Sequence, residues 1–396
     1  MSSTLTRRGF VRGAMTAASA MRVVGASDRI RLGVIGTGGR GRYLMERANK
    51  AGGIEWVAVC DAWDIQRDRA EKIAGVNLAK YADYRGLLDR KDIDAVIIAT
   101  WDHAHCAQTV DACRAGKDVY VEKPMTLHPM EGHQIVKAVR ENKRVLQVGT
   151  QQRSYPHFIE AKQRFIDSGL IGKVTMVRTI WNGNAAYRNQ KPPAGYETKP
   201  EGMDWEACQA HLPKVPWNPK RYFNHYVYWD YSTNAQMGGL FVHMVDVVHW
   251  YLNVDRPLAA TCMGGIYLGK EDRDTADNIN AILEYPGDLL VTFEANVTDM
   301  IRKDSEDIVF MGSGGRLSIF RYGYKFLPSQ EKTGIGEQTS GPTPELHVAD
   351  WLGSVRSRKK PSVDEVAGHY SAMACHICNI SYKEHRQVAW QKEWDL

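Results

Sequence analysis

The chain has 396 residues, of which 43% are hydrophobic and 24% charged, and its formal net charge is +5. This composition is typical of a globular protein of two or three domains, and it excludes a disordered, collagen-like or disulfide-scaffold chain. No apolar run is long enough for a membrane span, and most of the positive excess lies in the first 26 residues. We therefore expect neither a membrane span nor a nucleic-acid partner.

The first 26 residues read as an export signal. They contain the pair Arg7-Arg8, then a weakly apolar stretch, and then the small residues Val24-Gly25-Ala26. A twin arginine followed by these two features is typical of a twin-arginine signal peptide. We expect residues 1–26 to direct the protein to the periplasm or out of the cell, with cleavage near Ala26. The alternative is a plain N-terminal tail.

The first predicted strand, residues 30–35, runs directly into a glycine-rich turn and a helix-like segment. A G-x-G-x-x-G motif is informative only in this context. There the first glycine makes the tight turn, the second lets a pyrophosphate approach the backbone, and the third lets the helix pack on the strand. The free amides of the helix N-terminus attract the phosphates. Against the alternative of an ordinary βα turn, we predict a dinucleotide-binding turn formed by Gly36, Thr37, Gly38, Gly39, Arg40 and Gly41.

A carboxylate follows the second predicted strand, residues 56–60, at Asp61. A carboxylate at this position accepts hydrogen bonds from the adenosine ribose hydroxyls and repels a 2′-phosphate. Asp61 therefore favours NAD as the cofactor. NADP is less favoured, although Arg67 and Arg69 lie close by in the sequence.

Strands and helices continue to alternate up to residue 150. Further strands are predicted at 94–100, 118–122 and 145–149, with helices at 106–115 and 129–142. This alternation predicts a Rossmann-type, doubly wound parallel sheet over residues 27–150. Because ligands bind at the carboxyl ends of such strands, the predicted rim of the crevice includes Thr100, Glu122, Lys123, Gln151 and Arg153. We predict that the first four contact the cofactor and that Lys123 and Arg153 contact the substrate.

The second part of the chain, residues 151–363, has the composition of a sheet domain. Strands separated by Gly, Asp and Pro, as in an antiparallel sheet, are predicted at 173–181, 259–268, 278–285, 289–297, 308–311 and 316–320. A C-terminal helix and tail, residues 364–396, follow. Cys375 and Cys378 lie three residues apart on this helix, so we expect them in the core rather than at a metal.

Residues 182–234 are rich in Pro, Tyr and Trp and show little periodicity. Long aromatic loops over a crevice commonly hold ligands, and flat aromatic faces suit sugars. We predict carbohydrate contacts in this segment at Tyr187, Trp229 and Asp230. A purely structural excursion is an equally weighted alternative.

Three motifs resemble the glucose–fructose oxidoreductase/inositol dehydrogenase (Gfo/Idh/MocA) family. They are Glu122-Lys123-Pro124, the stretch from Thr100 to His105 with Trp101 in place of the family's Pro, and residues 347–379, which resemble the exported subgroup. The resemblance implies a Rossmann domain followed by an α/β domain with a large open, mainly antiparallel sheet. It further implies a homodimer or homotetramer, and it adds Trp101 and His105 to the predicted cofactor site.

The predicted catalytic residues are Lys123, His243 and Asp246. A lysine takes up a hydroxyl proton when burial or nearby cations lower its pKa, and His243 and Asp246 lie on one helical face at i and i+3. The resemblance implies that His243 is the proton shuttle or a substrate ligand. Many family members carry an Asp where this chain has Gly239, and we predict Asp230 as its replacement. No metal is expected, because His243, Asp246 and His249 spread around the helix.

These features favour an NAD-dependent oxidoreductase acting on a hydroxyl of a sugar, polyol or glycoside. A glycosidase or lyase that uses tightly bound NAD catalytically is the first alternative, since an exported enzyme has no free NAD pool to draw on. A non-catalytic sugar-binding protein is the second.

Overall fold

The computed structural model describes residues 29–183, 191–270, 272–298, 307–330, 334–338 and 342–396. The predicted export signal, residues 1–26, and the predicted substrate contact Tyr187 lie outside the described residues.

A six-stranded parallel sheet forms the first domain, in the order β3-β2-β1-β4-β5-β6. Its strands are β1 (Ile30–Ile35), β2 (Ile54–Cys60), β3 (Ala79–Tyr81), β4 (Ala95–Ile98), β5 (Asp118–Val121) and β6 (Leu146–Val148). Nearly every residue of β1, β4 and β5 is buried, as expected of strands covered on both faces. The predicted doubly wound parallel sheet is confirmed.

Five helices connect these strands and cover both faces of the sheet. They are α1 (Gly39–Ala51), α2 (Asp64–Ala74), α3 (Tyr84–Leu88), α4 (Asp102–Arg114) and α5 (Glu131–Glu141). Separate apolar clusters fill the two faces. The chain order brings the ends of β1, β2, β4, β5 and β6 to one edge, where α1, α2 and α4 begin.

A nine-stranded sheet forms the second domain, in the order β14-β13-β12-β11-β7-β10-β9-β8-β15. Its strands are β7 (Val174–Ile180), β8 (Ala259–Gly265), β9 (Asn278–Tyr285), β10 (Leu289–Ala295), β11 (Ile308–Gly312), β12 (Gly315–Phe320), β13 (Gly323–Pro328), β14 (Ile335–Gln338) and β15 (Val388–Ala389). Among the described strands, β7 and β10 pair in parallel and the other neighbours are antiparallel. The predicted mainly antiparallel sheet is confirmed.

The remaining helices include two π-helical segments. Lys162–Asp167 continues α6, and Asn234–Phe241 leads into α9. The helices are α6 (Pro156–Ala161), α7 (Trp205–Gln209), α8 (Pro219–Phe223), α9 (Val242–Leu252), α10 (Pro344–Ser357) and α11 (Glu365–Glu384), with 3₁₀ turns at Gln151–Ser154, His225–Val227 and Lys392–Trp394. None of the helices that the structure describes is both long and apolar enough to cross a bilayer.

Helices α10 and α11 join the two domains. Trp351 of α10 is fully buried in the same cluster as Leu44 and Met45 of α1, so α10 packs on the first domain although it falls within the range predicted for the second. Helix α11 packs against β8 and against α5 and β6. Its Cys375 and Cys378 are buried free thiols, which confirms their predicted place in the core.

Candidate functional site

The glycine-rich turn between β1 and α1 fits a diphosphate. Gly36 has a φ of +86°, and a Cβ placed on Gly41 would lie 2.0 Å from the Gly36 carbonyl oxygen. By contrast, a Cβ on Gly38 or Gly39 would have nothing within 4 Å. No side chain caps the N-terminus of α1, so its first amides are available to an anion.

Asp61 lies beside this turn at the end of β2. Its carboxylate accepts hydrogen bonds from the Thr37 amide at 2.7 Å and the Trp63 amide at 3.0 Å. Burial raises the pKa of Asp61, and these hydrogen bonds oppose the shift. The Arg67 guanidinium donates to the Asp61 backbone oxygen at 2.5 Å, so a cation stands next to the carboxylate that was predicted to select NAD.

A cavity of about 430 Å³ opens beside Asp61 and the turn. This volume lies in the range of small-ligand sites. The first domain contributes Gly36, Gly38, Asp61, Thr100 and His103 to its walls. The position next to the carboxyl ends of β1, β2 and β4 is that of the adenosine half of a dinucleotide in this fold.

The other wall of this cavity is formed by residues from the Tyr- and Trp-rich segment 182–234. Cys208, His211 and Tyr222 line it, and the Trp101 ring stacks on His225 at 4.6 Å with the planes 13° apart. The segment thus lies over the cavity at the carboxyl ends of β1, β2 and β4. Trp101, which replaces the family's Pro, holds this segment in place through its stacking on His225.

The Glu122-Lys123-Pro124 corner lies at the end of β5. The Lys123 ammonium donates to the Gly239 carbonyl oxygen at 2.9 Å. Glu122 Oε1 accepts a hydrogen bond from Arg40 Nε at 2.7 Å and lies 2.7 Å from Arg40 Nη2. The Arg40–Glu122 ion pair connects the glycine turn directly to this corner. Gly239, where many family members have an Asp, therefore presents a backbone oxygen to Lys123.

Burial lowers the pKa of Lys123, while the Glu122 and Asp102 carboxylates act in the opposite direction. Asp102 accepts from the Thr233 amide at 2.9 Å, and burial raises its own pKa. Asp230, the predicted replacement carboxylate, instead pairs with Arg221 at 2.9 Å and is exposed. The carboxylates beside Lys123 are those of Glu122 and Asp102.

His243 lies in the first turn of α9 and is buried. Burial and the charges of Lys123 and Arg40 hold its pKa well below the usual range, so the imidazole is neutral. Its Nδ1 has no hydrogen-bond partner among the described residues. Lys123 and His243 thus lie close enough to affect each other electrostatically, and the imidazole keeps an unused polar atom.

Asp246, predicted as catalytic, is fully buried and already paired. Arg153 donates to it through Nε at 2.8 Å and Nη2 at 2.7 Å, and Ser371 donates at 3.0 Å. Arg153 was predicted to contact substrate. In the structure the Arg153–Asp246 ion pair connects the 3₁₀ turn after β6 to α9.

The other predicted residues fall into two groups. Near the crevice, the Thr100 hydroxyl donates to Gln108. The two ring nitrogens of His105 lie 2.7 Å from the Pro124 backbone oxygen and 3.2 Å from the Thr100 backbone oxygen. Gln151 Oε1 is buried and has no hydrogen-bond partner among the described residues. Elsewhere, Trp229 donates to the Asp274 backbone oxygen at 2.9 Å, and Lys383 lies over its ring. No described contact joins Trp229 or Asp230 to Lys123.

Sequence reasoning missed Asp102, His103 and the cavity wall from the second domain. Asp102 and His103 lie inside the motif that carried the family resemblance, so their types were visible but not their partners. His103 Nε2 lies 3.1 Å from the Cys208 backbone oxygen, and burial lowers its pKa to about 3. Over the described residues, no group of His, Cys, Asp and Glu could hold a metal ion.

Two family models match the chain. Residues 30–150 match the model described as an oxidoreductase family with an NAD-binding Rossmann fold, and residues 208–318 match the GFO/IDH/MocA C-terminal domain. Together the matches cover more than half of the chain.

Curated relatives include inositol 2-dehydrogenase of Salmonella typhimurium, which is 28% identical over 229 residues, or 57% of this chain and 55% of that protein. The inositol 2-dehydrogenase/D-chiro-inositol 3-dehydrogenase of Shouchella clausii is 30% identical over 229 residues, 57% of this chain and 53% of that one. The chain spans about half the length of the curated relatives it matches.

Similar solved structures cover nearly the whole chain. Levoglucosan dehydrogenase in complex with NADH and levoglucosan superposes with a TM-score of 0.72 at 16% identity, over 91% of this chain and 99% of that one. Myo-inositol 2-dehydrogenase from Lactobacillus plantarum gives 0.69 at 20% identity, over 92% and 100%. At these identities the likeness shows the fold.

Proposed function

The chain belongs to the Gfo/Idh/MocA family of oxidoreductases, and from this premise we propose that it is an NAD-dependent dehydrogenase of a sugar, polyol or glycoside hydroxyl. The observation that carries the proposal is the position of Lys123. Its half-buried ammonium lies at the carboxyl end of β5, next to Glu122, which is itself paired to the dinucleotide-binding turn through Arg40.

A nicotinamide dinucleotide, when bound, supplies the acceptor for a hydride from the substrate carbon. The protein must then remove the hydroxyl proton. Lys123 is suited to this role because burial lowers its pKa, which brings the neutral amine within reach at moderate pH. Neutral His243, with Nδ1 unpartnered among the described residues, orients the hydroxyl or accepts the proton as a second base.

The proposed test mixes the purified protein and NAD with inositols, anhydrosugars and simple glycosides while nicotinamide absorbance is followed. A dehydrogenase accumulates reduced nicotinamide with its substrate, and Lys123→Ala lowers the rate at least about 100-fold. Lys173→Ala is the matched control, since Lys173 is exposed and pairs with Asp288 before β7. Full activity in Lys123→Ala would contradict the proposal.

A redox-neutral glycosidase or lyase that returns the hydride to its product is the second candidate. It is favoured by the adenosine cavity, whose outer wall comes from residues 204–222, because an enclosed cofactor suits a cycle without exchange. Many turnovers of a glycoside with no lasting change in nicotinamide absorbance support this candidate. Binding of sugar without turnover supports a non-catalytic protein instead.

We propose NAD rather than NADP as the preferred dinucleotide. Asp61 keeps its carboxylate beside the turn, where it disfavours a 2′-phosphate, although Arg67 lies next to it. Replacement of Asp61 by Ala removes this repulsion and should shift the ratio of the two dissociation constants toward NADP by about tenfold. An unchanged ratio would remove Asp61 from the selectivity determinants.

We further propose an exported homo-oligomer. Residues 1–26 support export, which cell fractionation with and without them tests. Met263, Ile282 and Leu290 expose 75%, 51% and 44% of their surface on adjacent strands β8, β9 and β10, and a second copy of the chain is the proposed partner of this face. Light scattering should give a dimer or tetramer, and Ile282→Glu should lower the mass.

A further inference from the structure

The turn between β12 and β13 carries an arginine that has no partner among the described residues. Phe320 and Gly323 pair across the two strands, so Arg321 lies at the tip of this hairpin. Its side chain is exposed, and it forms neither an ion pair nor a hydrogen bond with any residue that the structure describes. Arg321 therefore keeps its charge and its donors for a ligand.

Strand β13 fixes this hairpin against α6 and its π-helical continuation. The Tyr324 hydroxyl donates to Glu160 at 2.9 Å and accepts from Arg164 at 2.7 Å. Two residues further along β13, the Phe326 ring stacks on Phe165 with 4.5 Å between the ring centroids. Polar and aromatic contacts thus hold the hairpin beside the helix, and they limit where its tip can lie.

The tip of the hairpin reaches the predicted catalytic residues. Arg321 lies close enough to His243 and Tyr155 to affect both electrostatically. The pKa of the imidazole is lowered by burial first, and then by the charges of Lys123, Arg40 and Arg321. Burial raises the pKa of Tyr155 to about 12, and the charge of Arg321 opposes this shift. Positive charge therefore faces His243 from both domains, since the three cations lie in α1, after β5 and in the β12–β13 turn.

Two of these three cations already have carboxylates beside them. Arg40 pairs with Glu122 at 2.7 Å. Burial lowers the pKa of Lys123, and the carboxylates of Glu122 and Asp102 oppose that shift. No carboxylate pairs with Arg321 among the described residues. A planar guanidinium binds a carboxylate through two parallel hydrogen bonds, so an anionic group of a ligand fits the position next to the hairpin tip.

We propose that the substrate is an acidic sugar, a hexuronic acid or its glycoside, and that Arg321 binds its carboxylate. The reacting hydroxyl then lies between Lys123 and His243, and the carboxylate lies toward the second domain. The inference rests on the proposed oxidoreductase function, and it narrows the substrate class of that function to sugars with a negative charge. It makes Arg321 a specificity-determining residue.

The test compares sugars that differ in charge. A methyl uronoside, its carboxyl methyl ester and the neutral methyl hexoside, in the gluco and galacto series, are each mixed with the full-length protein and NAD. Hexose 6-sulfates and 6-phosphates form a further arm, because these esters present a charge that is not a carboxylate. Nicotinamide absorbance gives kcat/KM for each sugar, and calorimetry on the protein with NAD gives the dissociation constants without any need for turnover.

The variants are Arg321→Gln, which removes the charge, and Arg321→Lys, which keeps the charge but loses the planar fork. Lys325→Gln is the matched control, because Lys325 is an exposed cation on the same hairpin. The wild-type protein should favour the uronoside over its ester and over the neutral hexoside at least about tenfold in both measurements. Arg321→Gln should lose this preference, Arg321→Lys should keep part of it, and Lys325→Gln should match the wild type.

The two proposals fail in different ways. Wild-type protein that oxidises neutral sugars at least as well as uronosides overturns this inference and leaves the dehydrogenase intact, and so does an Arg321→Gln variant that keeps the preference or weakens acidic and neutral sugars alike. A preference for the sulfate or phosphate esters overturns the carboxylate assignment. A uronoside that binds through Arg321 but never reduces NAD supports this inference and overturns the proposed oxidoreductase function. If no sugar binds or reacts, both are overturned.

Discussion

At the scale of single residues, two lysines differ in how many hydrogen-bond acceptors surround their ammonium groups, and this difference determines their roles. Lys117 donates to the backbone oxygens of Arg90 and Ile93 at 2.6 and 2.9 Å and so fixes the turn before β4. Lys123 has one hydrogen-bond acceptor among the described residues, the Gly239 oxygen. Its ammonium therefore keeps donor capacity for a substrate hydroxyl, whereas Lys117 is occupied by structure.

Asp102 should set the pH at which Lys123 becomes active. Its carboxylate raises the pKa of Lys123 against the lowering effect of burial, so Asp102→Asn should lower that pKa. Since alcohol oxidation requires the neutral amine, kcat/KM should rise with pH and level off below pH 10.5. In Asp102→Asn the pH at which kcat/KM levels off should be up to about one unit lower than in the wild type.

A matched control is Asp111→Asn on the same helix, because Asp111 contacts Tyr84 at 2.7 Å and should keep the wild-type profile. A profile that moves to higher pH in Asp102→Asn, or that does not move, would contradict the electrostatic effect of Asp102 on Lys123.

Arg153 should contribute to stability rather than to substrate affinity. Its removal leaves the fully buried Asp246 carboxylate without its guanidinium partner, and breaking such a pair costs about 3–5 kcal/mol. Arg153→Met should therefore lower the thermal unfolding midpoint by several degrees, as measured by differential scanning fluorimetry.

Arg85→Met is the comparison, since Arg85 pairs with Asp83 at the surface and exposed pairs contribute about 1 kcal/mol or less. If Arg153→Met instead unfolds like the wild type and raises only KM, the substrate role predicted from the sequence is restored.

At the scale of elements, the strand–turn–helix unit of residues 30–51 divides its glycines between folding and binding. Gly36 and Gly41 are required by the backbone itself, the first through its positive φ and the second through its contact with Gly36. Gly38 and Gly39 have free space at the Cβ position. The same motif thus contains positions that respond differently to one added methyl group.

Gly38→Ala should fold normally and bind dinucleotide weakly. The new methyl group meets no protein atom within 4 Å but occupies the place where a pyrophosphate approaches the turn. We expect an unchanged unfolding midpoint and a dissociation constant for NAD raised at least about tenfold by calorimetry. Gly41→Ala should instead destabilise the fold, and equal effects of the two substitutions on stability would contradict this division.

Elements with a local signal were predictable from the sequence, and those defined by distant partners were not. The strands at 30–35 and 278–285 have the predicted bounds. An unbroken apolar run and an alternation of apolar and polar residues are both patterns of consecutive residues, so the sequence itself shows them. Helix α10 was not predicted to pack on the first domain, because its Trp351 contacts α1, which is distant in the sequence. Likewise, Arg153 and Asp246 are 93 residues apart, and no spacing rule reports such a pair.

At the scale of the whole molecule, histidine side chains hold α11 and the C-terminal tail in place. His369 Nε2 lies 2.8 Å from the Trp394 oxygen, and His133 Nε2 lies 2.8 Å from the Asp395 oxygen. His376 of the same helix contacts the Thr126 hydroxyl in the loop after β5. These contacts connect the chain's last residues to α11 and to α5 of the first domain, and they connect α11 to the loop after β5.

Burial makes the folded protein sensitive to acid. It lowers the pKa of His249 and His376 to about 3 and that of His369 to about 4, against about 6.5 in an unfolded chain. Between these values the unfolded state binds more protons than the folded state. The free energy of unfolding therefore decreases as pH falls below about 6.5, by about 1.4 kcal/mol per pH unit for each such ring.

His369→Gln should reduce this acid sensitivity while keeping the tie to the tail. The Gln amide can donate to the Trp394 oxygen as the imidazole N–H does, but it takes up no proton. Denaturant unfolding at a series of pH values from 7 to 5 should show a shallower decline in the variant, by up to about 1.4 kcal/mol per pH unit. His385→Gln, at the surface, should keep the wild-type slope. A His369→Gln slope equal to that of the wild type would mean that His369 is protonated alike in both states, and the acid sensitivity would then have to come from the other buried rings.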